Sequence, residues 1–199
     1  MLKSNYFRYA AILGIICLAA SGLLSVVFNI TQPKILAQKL KDEADSLKDA
    51  FPQASDFKAV KEGEETIYYN ALDKNNEIIG YCFVAVKKGY SSDIATMVGM
   101  NKEGVISRIK ILSQNETPGL GTRIAEVAQK VTLWDIVFKR AKPGELPRPW
   151  FQAQFDGKNI DGLDGTVQVI TGATISSRAV VDSVKERSVK IMEKIKNGR

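Results

Sequence analysis

The sequence contains no histidine and only two cysteines, Cys17 and Cys82. The familiar zinc spacings need several His or Cys ligands, and an iron–sulfur cluster held by one chain needs four thiolates, so both kinds of centre are excluded. The commonest general base is also missing. Cys17 lies in a hydrophobic run and Cys82 in a strand-like one, which argues against an intramolecular disulfide. We therefore expect no metal site and no catalytic side chain, and redox chemistry would need an organic cofactor.

The composition is that of a folded domain rather than a disordered tail. Of the 199 residues, 45% are hydrophobic and 25% are charged, and the formal net charge is +6. The lysines and arginines are spread along the chain, and no segment alternates basic and aromatic residues. A nucleic-acid partner is therefore not expected.

A long run without charged residues extends from Tyr9 to Ile30. A helix needs about 20 apolar residues to cross the hydrocarbon core, and this run is just long enough. Its Ile, Leu, Val and Phe residues contribute roughly −3 to −7 kcal/mol to insertion. The alternative is a cleaved signal peptide, whose apolar region is normally about 7–15 residues long. Because the apolar character continues to Ile30, we interpret the run as a retained anchor in contact with membrane lipid.

The charges around this run predict its orientation. Lys3 and Arg8 precede it, and positive charge favours the cytoplasmic side, although Lys34 and Lys39 follow it and weaken the bias. We expect a single-pass protein of the cell (inner) membrane with its C-terminal domain on the extracytoplasmic, periplasmic side. The predicted division is a cytoplasmic N-terminus (1–8), a transmembrane helix (9–30), a helical stalk (31–50) and an extracytoplasmic domain (51–199).

The stalk is predicted from a cap and a helical repeat. Thr31 resembles an N-cap, with Pro33 in the first helical turn. Phe51-Pro52 then stops the pattern. Apolar residues recur at helical spacing between these points, at Ile35, Leu36, Leu40, Ala44 and Leu47.

The rest of the chain predicts an α+β fold, an antiparallel sheet with flanking helices. Turn residues separate strand-like runs into two hairpins, Glu65–Leu72 with Glu77–Val86 and Ser92–Met100 with Gly104–Leu112. Further strand candidates are Phe151–Phe155 and Val167–Ile170. Helices are predicted around Thr122–Lys130 and over Ser176–Lys196, the second with an apolar face that includes Val180, Val184, Ile191 and Ile195.

The segment from Thr171 to Arg178 joins a short apolar strand to the predicted C-terminal helix. Backbone N–H groups at a helix start favour an anion such as phosphate. Gly172 and Ala173 keep side chains out of the way, and Arg178 could add a charge-assisted contact. The simpler interpretation is that Ser176 or Ser177 only caps the helix. The residues alone leave both interpretations open.

The four residues Thr171-Gly-Ala-Thr174 resemble a known family motif. They match the (Ser/Thr)-Gly-Ala-Thr motif of the FMN-binding domain in the G subunit of the Rnf electron-transport complex, which the C subunit of the sodium-pumping NADH:quinone oxidoreductase shares. The resemblance implies FMN joined covalently to Thr174 through a phosphoester bond that a dedicated flavin transferase installs. It makes Thr171, Gly172 and Ala173 the supporting turn, and we place Ser176, Ser177 and Arg178 in the same cofactor site.

A second set of residues looks like the same family. It comprises Gly89-Tyr90, Val98-Gly99 and above all Glu116-Thr-Pro-Gly-Leu-Gly121. In the family, a loop of this last kind lies against the flavin. The resemblance therefore adds Glu116, Thr117, Gly119, Leu120 and Gly121 to the cofactor-binding residues. Taken alone, the loop would be an ordinary Pro-Gly turn.

One position departs from the family pattern. Family members usually carry Asp three residues before the first residue of the motif, where this chain has Gln168. That Asp belongs to the pattern associated with the transferase. The departure puts the efficiency of flavin attachment in question.

The resemblance implies an electron-carrier subunit of an Rnf-type complex, which couples electron transfer between ferredoxin and NAD to ion translocation. A flavin passes electrons without a protein acid, base or metal, which suits a chain without histidine. The expected partners are other membrane and iron–sulfur subunits, and no turnover is expected from the isolated chain. The alternatives are a C-type subunit of the quinone-reducing pump, a tethered module that binds a phosphorylated ligand reversibly, and a purely structural anchor.

Overall fold

The computed structural model describes residues 2–63, 65–126 and 148–197, which form three α-helices and five β-strands. In chain order these are α1 (Leu2–Ala50), β1 (Asp56–Glu62), β2 (Glu65–Leu72), β3 (Ile78–Lys88), β4 (Asp93–Asn101), β5 (Ile106–Ser113), α2 (Trp150–Ala153) and α3 (Thr174–Asn197). The chain divides into two units, residues 1–44 and 45–199. The second unit therefore includes the last turns of α1, while the predicted domain start at residue 51 stays a prediction.

Helix α1 is long and apolar enough to cross a membrane by length and composition. Its candidate segment, Tyr6–Ala50, contains a window with a mean hydropathy of 2.5, and none of that window is buried against the protein. The predicted helix start at Thr31 is wrong, because α1 continues through Pro33 without a break. An interior proline costs about 3 kcal/mol, and good helix formers such as Leu36, Ala37 and Gln38 follow shortly after Pro33.

Strands β1 to β5 form one antiparallel sheet in sequential order. The two predicted hairpins are confirmed, with small shifts of their ends, and short polar side chains close their turns. The Asp73 carboxylate accepts hydrogen bonds from the N–H groups of Asn75 (2.7 Å) and Glu77 (3.0 Å). The Asn101 amide oxygen does the same for Glu103 and Val105. Such side chains replace the backbone partners that a tight turn lacks, so each turn fixes the register of its hairpin.

Strand β1 was not predicted from the sequence. It is an edge strand that pairs only with β2, and most of its residues are exposed. Its register shifts between Val60 and Lys61. A bulge of this kind breaks the alternation of apolar and polar residues by which a strand is recognised.

Both additional strand candidates are wrong. Phe151 belongs to α2 and Phe155 follows it, and their rings meet edge-to-face with centroids 5.7 Å apart. Residues 167–170 form no strand. The side chain of Gln154 bonds both the N–H (2.8 Å) and the C=O (3.2 Å) of Gln168 and takes the place of a neighbouring strand.

The helix expected around Thr122–Lys130 is a single 3-10 turn over Gly121–Ile124, and residues 127–130 lie outside the described residues. The C-terminal helix is confirmed as α3, which begins two residues earlier than expected, at Thr174. The main core lies between α3 and one face of the sheet. Among its fully buried residues are Phe83, Val98, Ile109, Phe151, Val180 and Val184.

The opposite face of the sheet holds a second, smaller core. It contains Leu47, Ala50 and Phe51 at the end of α1 together with Ala71, Cys82 and Met97 of the strands. A side chain at Gly99 would place its Cβ 2.2 Å from the carbonyl oxygen of Ala50, so only glycine lets α1 approach this closely. Cys82 is a free thiol here, and burial raises its pKa to about 12.

Candidate functional site

A cleft of about 470 Å³ brings the two predicted motifs together. One wall is the Glu116–Gly121 loop, and the other is the turn that leads into α3. The lining residues are Tyr90, Glu116, Thr117, Leu120, Gly121, Gly172, Ala173, Thr174, Ile175 and Ser176. Residues 122–170 separate the motifs in sequence, so this juxtaposition is made by the fold.

Thr174 is the first residue of α3 and is exposed in the cleft. The turn before it is held by hydrogen bonds from Ala173 N–H to Ile170 C=O and from Ser177 N–H to Ala173 C=O, both 2.9 Å. Gly172 has a φ of +84°. A side chain there would also meet Leu120 at 3.3 Å, so glycine is needed both for the turn and for the width of the cleft.

The start of α3 provides a positive electrostatic environment at Thr174. The first N–H groups of a helix have no acceptor within the helix, and the dipole of a 24-residue helix adds partial positive charge at this end. Arg178 is exposed and lies four residues beyond Thr174, one turn along the same face. A phosphate carried by the Thr174 hydroxyl fits this position.

The Glu116 side chain joins the two walls of the cleft through hydrogen bonds, and the residue is only 4% exposed. Its carboxylate accepts hydrogen bonds from the N–H groups of Tyr90 (3.1 Å), Ser91 (3.0 Å) and Ser92 (3.0 Å). It also accepts one from the Ser92 hydroxyl (3.3 Å) and a short one from the Ser176 hydroxyl (2.6 Å). The side chain therefore ties the β3–β4 turn to the first turn of α3.

Two opposing effects act on the charge of Glu116. Burial alone raises the pKa of its carboxyl group, but the hydrogen bonds from Ser176 and from the backbone of Ser92, Ser91 and Tyr90 together bring the pKa below its ordinary value. The group is therefore a buried carboxylate that stays ionised at neutral pH.

Comparison with known proteins gives two family matches. The model of the FMN-binding domain matches residues 89–187, and the model of the RnfG N-terminal region matches residues 1–49. Together they cover well over half of the chain. The chain belongs to the RnfG family. The expected resemblance is thereby confirmed, and the domain that contains the cleft is an FMN-binding domain.

Several curated relatives are similar over nearly their whole length. The G subunit of the proton-translocating ferredoxin:NAD(+) oxidoreductase complex of Clostridium ljungdahlii is 28% identical, over 92% of this chain and 90% of the relative. The corresponding protein of the Na(+)-translocating complex of Acetobacterium woodii is also 28% identical, over 89% and 87%. The crystal structure of Shewanella oneidensis NqrC covers 72% of this chain and 73% of its own, with 15% identity and a TM-score of 0.43.

Within this RnfG-family domain, two of the predicted cofactor residues have their hydroxyls engaged inside the protein. Ser176 is 2% exposed and bonds Glu116, while the fully buried Ser177 accepts a hydrogen bond from the N–H of Ile170 at 3.1 Å. Their contribution to the site is to shape it. Thr171, Gly172 and Thr174 are exposed, and Ala173 is buried beneath them.

The residues of the Glu116–Gly121 loop likewise include some that line the cleft and others that shape it. Leu120 is 47% exposed and lines the cleft, and Thr117 lines it next to Ser91, with their hydroxyl oxygens 3.5 Å apart. Gly119 shapes the loop, since its φ is +75° and its N–H bonds the Thr122 hydroxyl at 3.0 Å. Gly121 packs on Glu116, where any side chain would come within 2.6 Å of the Glu116 Cβ.

Two cleft residues, Tyr90 and Ile175, were not predicted from the sequence, and neither were Ser91 and Ser92, whose N–H groups bond Glu116. Tyr90 is 68% exposed and Ile175 is 55% exposed, so each presents apolar surface to solvent at the edge of the cleft. Both could have been found from the sequence because each directly follows a motif residue: Tyr90 follows Gly89 in the family pattern, and Ile175 follows Thr174. Exposed apolar side chains at a cleft suit the planar ring system of a flavin.

Proposed function

We propose that the chain is the FMN-carrying subunit of an Rnf-type electron-transport complex, with FMN joined through a phosphoester to Thr174. The observation that carries the proposal is the exposed Thr174 hydroxyl at the start of α3, in a cleft of about 470 Å³ walled by the second family motif. The chain spans most of the length of curated relatives named as G subunits of ion-translocating oxidoreductase complexes. When bound, FMN supplies one- or two-electron transfer.

The residues of the cleft have distinct tasks in this proposal. Thr174 holds the phosphate end at the helix start, and Arg178 lies one turn further on. Tyr90, Leu120 and Ile175 offer apolar contact to the ring system. In this role the chain passes electrons on to other membrane and iron–sulfur subunits, and no turnover is expected from the isolated chain.

Maturation and placement in the membrane complete the proposal. A flavin transferase forms the phosphoester, and Thr174 is accessible to such an enzyme because it is exposed. Helix α1 anchors the chain as a single span in the cell membrane, in contact with lipid, and the FMN domain lies on the extracytoplasmic side. A covalent cofactor suits that side, because a dissociable one would be lost to the medium.

Mass spectrometry of a Thr174→Val variant tests the attachment. Valine keeps the β-branched shape and removes the oxygen that a phosphoester requires, and the site is exposed, so we expect at most a small loss of stability. The wild type and the variant are each produced with the flavin transferase and digested with trypsin. The wild type should carry the FMN mass on the peptide Asn159–Arg178, and Thr174→Val should carry none.

Thr171→Val is the matched control, because it removes a hydroxyl from the same exposed turn. It should keep the adduct, and fragmentation of its peptide should place the mass on Thr174. An intact adduct in Thr174→Val would move the attachment to another residue. Flavin colour that is lost from the wild type on denaturation would instead favour a module that binds a phosphorylated ligand reversibly.

A further inference from the structure

The Glu116 carboxylate has an unusual set of partners for a buried charge. All five of its hydrogen bonds come from neutral donors: three backbone N–H groups and the hydroxyls of Ser92 and Ser176. None of the ion pairs between described residues includes it. A buried negative charge without a cation is costly, so a site that keeps one needs a reason beyond packing.

The chemistry of the donors explains why this residue is a glutamate. Because every partner donates, the side chain must only accept, and an ionised carboxylate is the side chain with two accepting oxygens and no N–H group. A glutamine would turn an NH2 group toward some of these donors. Space is restricted as well, since Gly89 and Gly121 both press on Glu116 and a Cβ on either would lie 2.6–2.7 Å from its atoms.

The position of the carboxylate relates it to the flavin cleft. Glu116 lines the cleft beside Tyr90, and through Ser176 it holds the first turn of α3, on which Thr174 stands two residues earlier. The carboxylate thus lies at the junction of both walls, and because Glu116 itself is only 4% exposed, water screens its negative charge less than it would a surface charge.

We propose that Glu116 is the positioning residue of the flavin site: its charge, held by the Tyr90–Ser92 turn, locks the start of α3 in place and keeps the midpoint potential of the bound FMN low. The inference rests on the proposed function. A fixed negative charge beside the flavin opposes the arrival of electrons, and the same charge orders Thr174 for attachment through Ser176. Glu116 acts on the cofactor through this charge and through Ser176.

The first arm of the test measures the midpoint potential of the full-length flavoprotein. Glu116→Gln removes the charge and should shift the potential of the attached FMN to more positive values, while Glu116→Asp keeps the charge and should restore most of the wild-type value. The matched control is Glu126→Gln, because Glu126 is an exposed carboxylate after the same loop that does not line the cleft. An unchanged potential in Glu116→Gln, or an equal shift in Glu126→Gln, would overturn the proposal.

The second arm works even where Glu116→Gln fails to fold. Ser176→Ala leaves the carboxylate with its four other hydrogen bonds and removes only the link to α3. The initial rate at which the flavin transferase loads FMN should fall by about tenfold, since a hydrogen bond to a charged group is lost. Loading at the wild-type rate would overturn the proposal. If the wild type itself carries no FMN on Thr174, the proposed function fails instead, so the two failures are distinguishable.

Discussion

At the scale of single residues, burial separates hydroxyls that the sequence presents as equivalent. Thr174 and Ser176 are two residues apart at the start of α3, and residues two apart do not share a helical face. Thr174 is exposed in the cleft, whereas Ser176 is buried on Glu116. Of these two residues, only Thr174 is accessible to a transferase, and only Ser176 bonds Glu116 of the Glu116–Gly121 loop.

Gln168 is the residue that departs from the family pattern, and the structure shows that its side chain is replaceable. The residue is exposed, and its two hydrogen bonds to Gln154 involve only its backbone. We expect Gln168→Asp to leave the thermal unfolding temperature nearly unchanged and to increase the rate of FMN attachment, because it restores the residue associated with the transferase. The measurement is the time course of the FMN adduct by mass spectrometry.

Val169→Asp is a suitable control, since Val169 is also exposed and lies one position nearer the motif. It should give no increase. A loading rate that is the same in Gln168→Asp and the wild type would show that position 168 does not limit attachment in this chain.

At the scale of elements, the Glu116–Gly121 loop should tune the flavin without holding it. Thr117 and Leu120 both line the cleft, so Thr117→Ala and Leu120→Ala each remove contact surface beside the ring. The proposed phosphoester at Thr174 lies on another element, so the covalent flavin should remain at the wild-type level. We expect a shift of the absorbance spectrum or of the midpoint potential in each purified variant.

The control for this prediction is Leu112→Ala, because Leu112 on β5 is similarly exposed and does not line the cleft. Its spectrum and potential should match the wild type. If neither loop variant differs from Leu112→Ala, the loop does not contact the flavin.

The elements that were predicted correctly are those with strong local signals. Strands β2 to β5 are strand-like runs bounded by clear turn residues, and α3 has an apolar face, so each could be predicted from its own sequence. The errors arose where a distant contact decides the structure. Gln154 satisfies the backbone of Gln168, which then needs no strand, and the bulge at Val60 hides the alternation of β1.

The candidate site shows the same division. The motif residues Thr171–Thr174 and Glu116–Gly121 could be named from the sequence because a family pattern marks them. The inward orientation of Glu116 could not, since it depends on backbone N–H groups of residues 90–92, more than 20 positions away. Almost every residue type carries a backbone N–H group, so the identities of residues 90–92 do not reveal that they bond Glu116.

At the scale of the whole molecule, the predicted orientation in the membrane can be tested directly. Lys3 and Arg8 before the apolar run favour a cytoplasmic N-terminus, so the FMN domain should face outward. Protease added to intact spheroplasts should therefore digest the chain after Pro33, as followed by antibodies against the C-terminal region. Inverted membrane vesicles are the control and should protect it. Full protection in spheroplasts would reverse the topology.

The close approach of Ala50 to Gly99 decides where a domain can be cut when it is exchanged between relatives. Val98-Gly99 forms part of the family pattern, yet neither residue lines the cleft, and Gly99 instead admits the carbonyl of Ala50. The pattern thus mixes residues that line the cleft with one that receives the end of a helix. A domain grafted between relatives must therefore include residues 45–51. A graft that begins at residue 51 would lack Leu47 and Ala50, which cover Cys82 and Met97 on this face of the sheet.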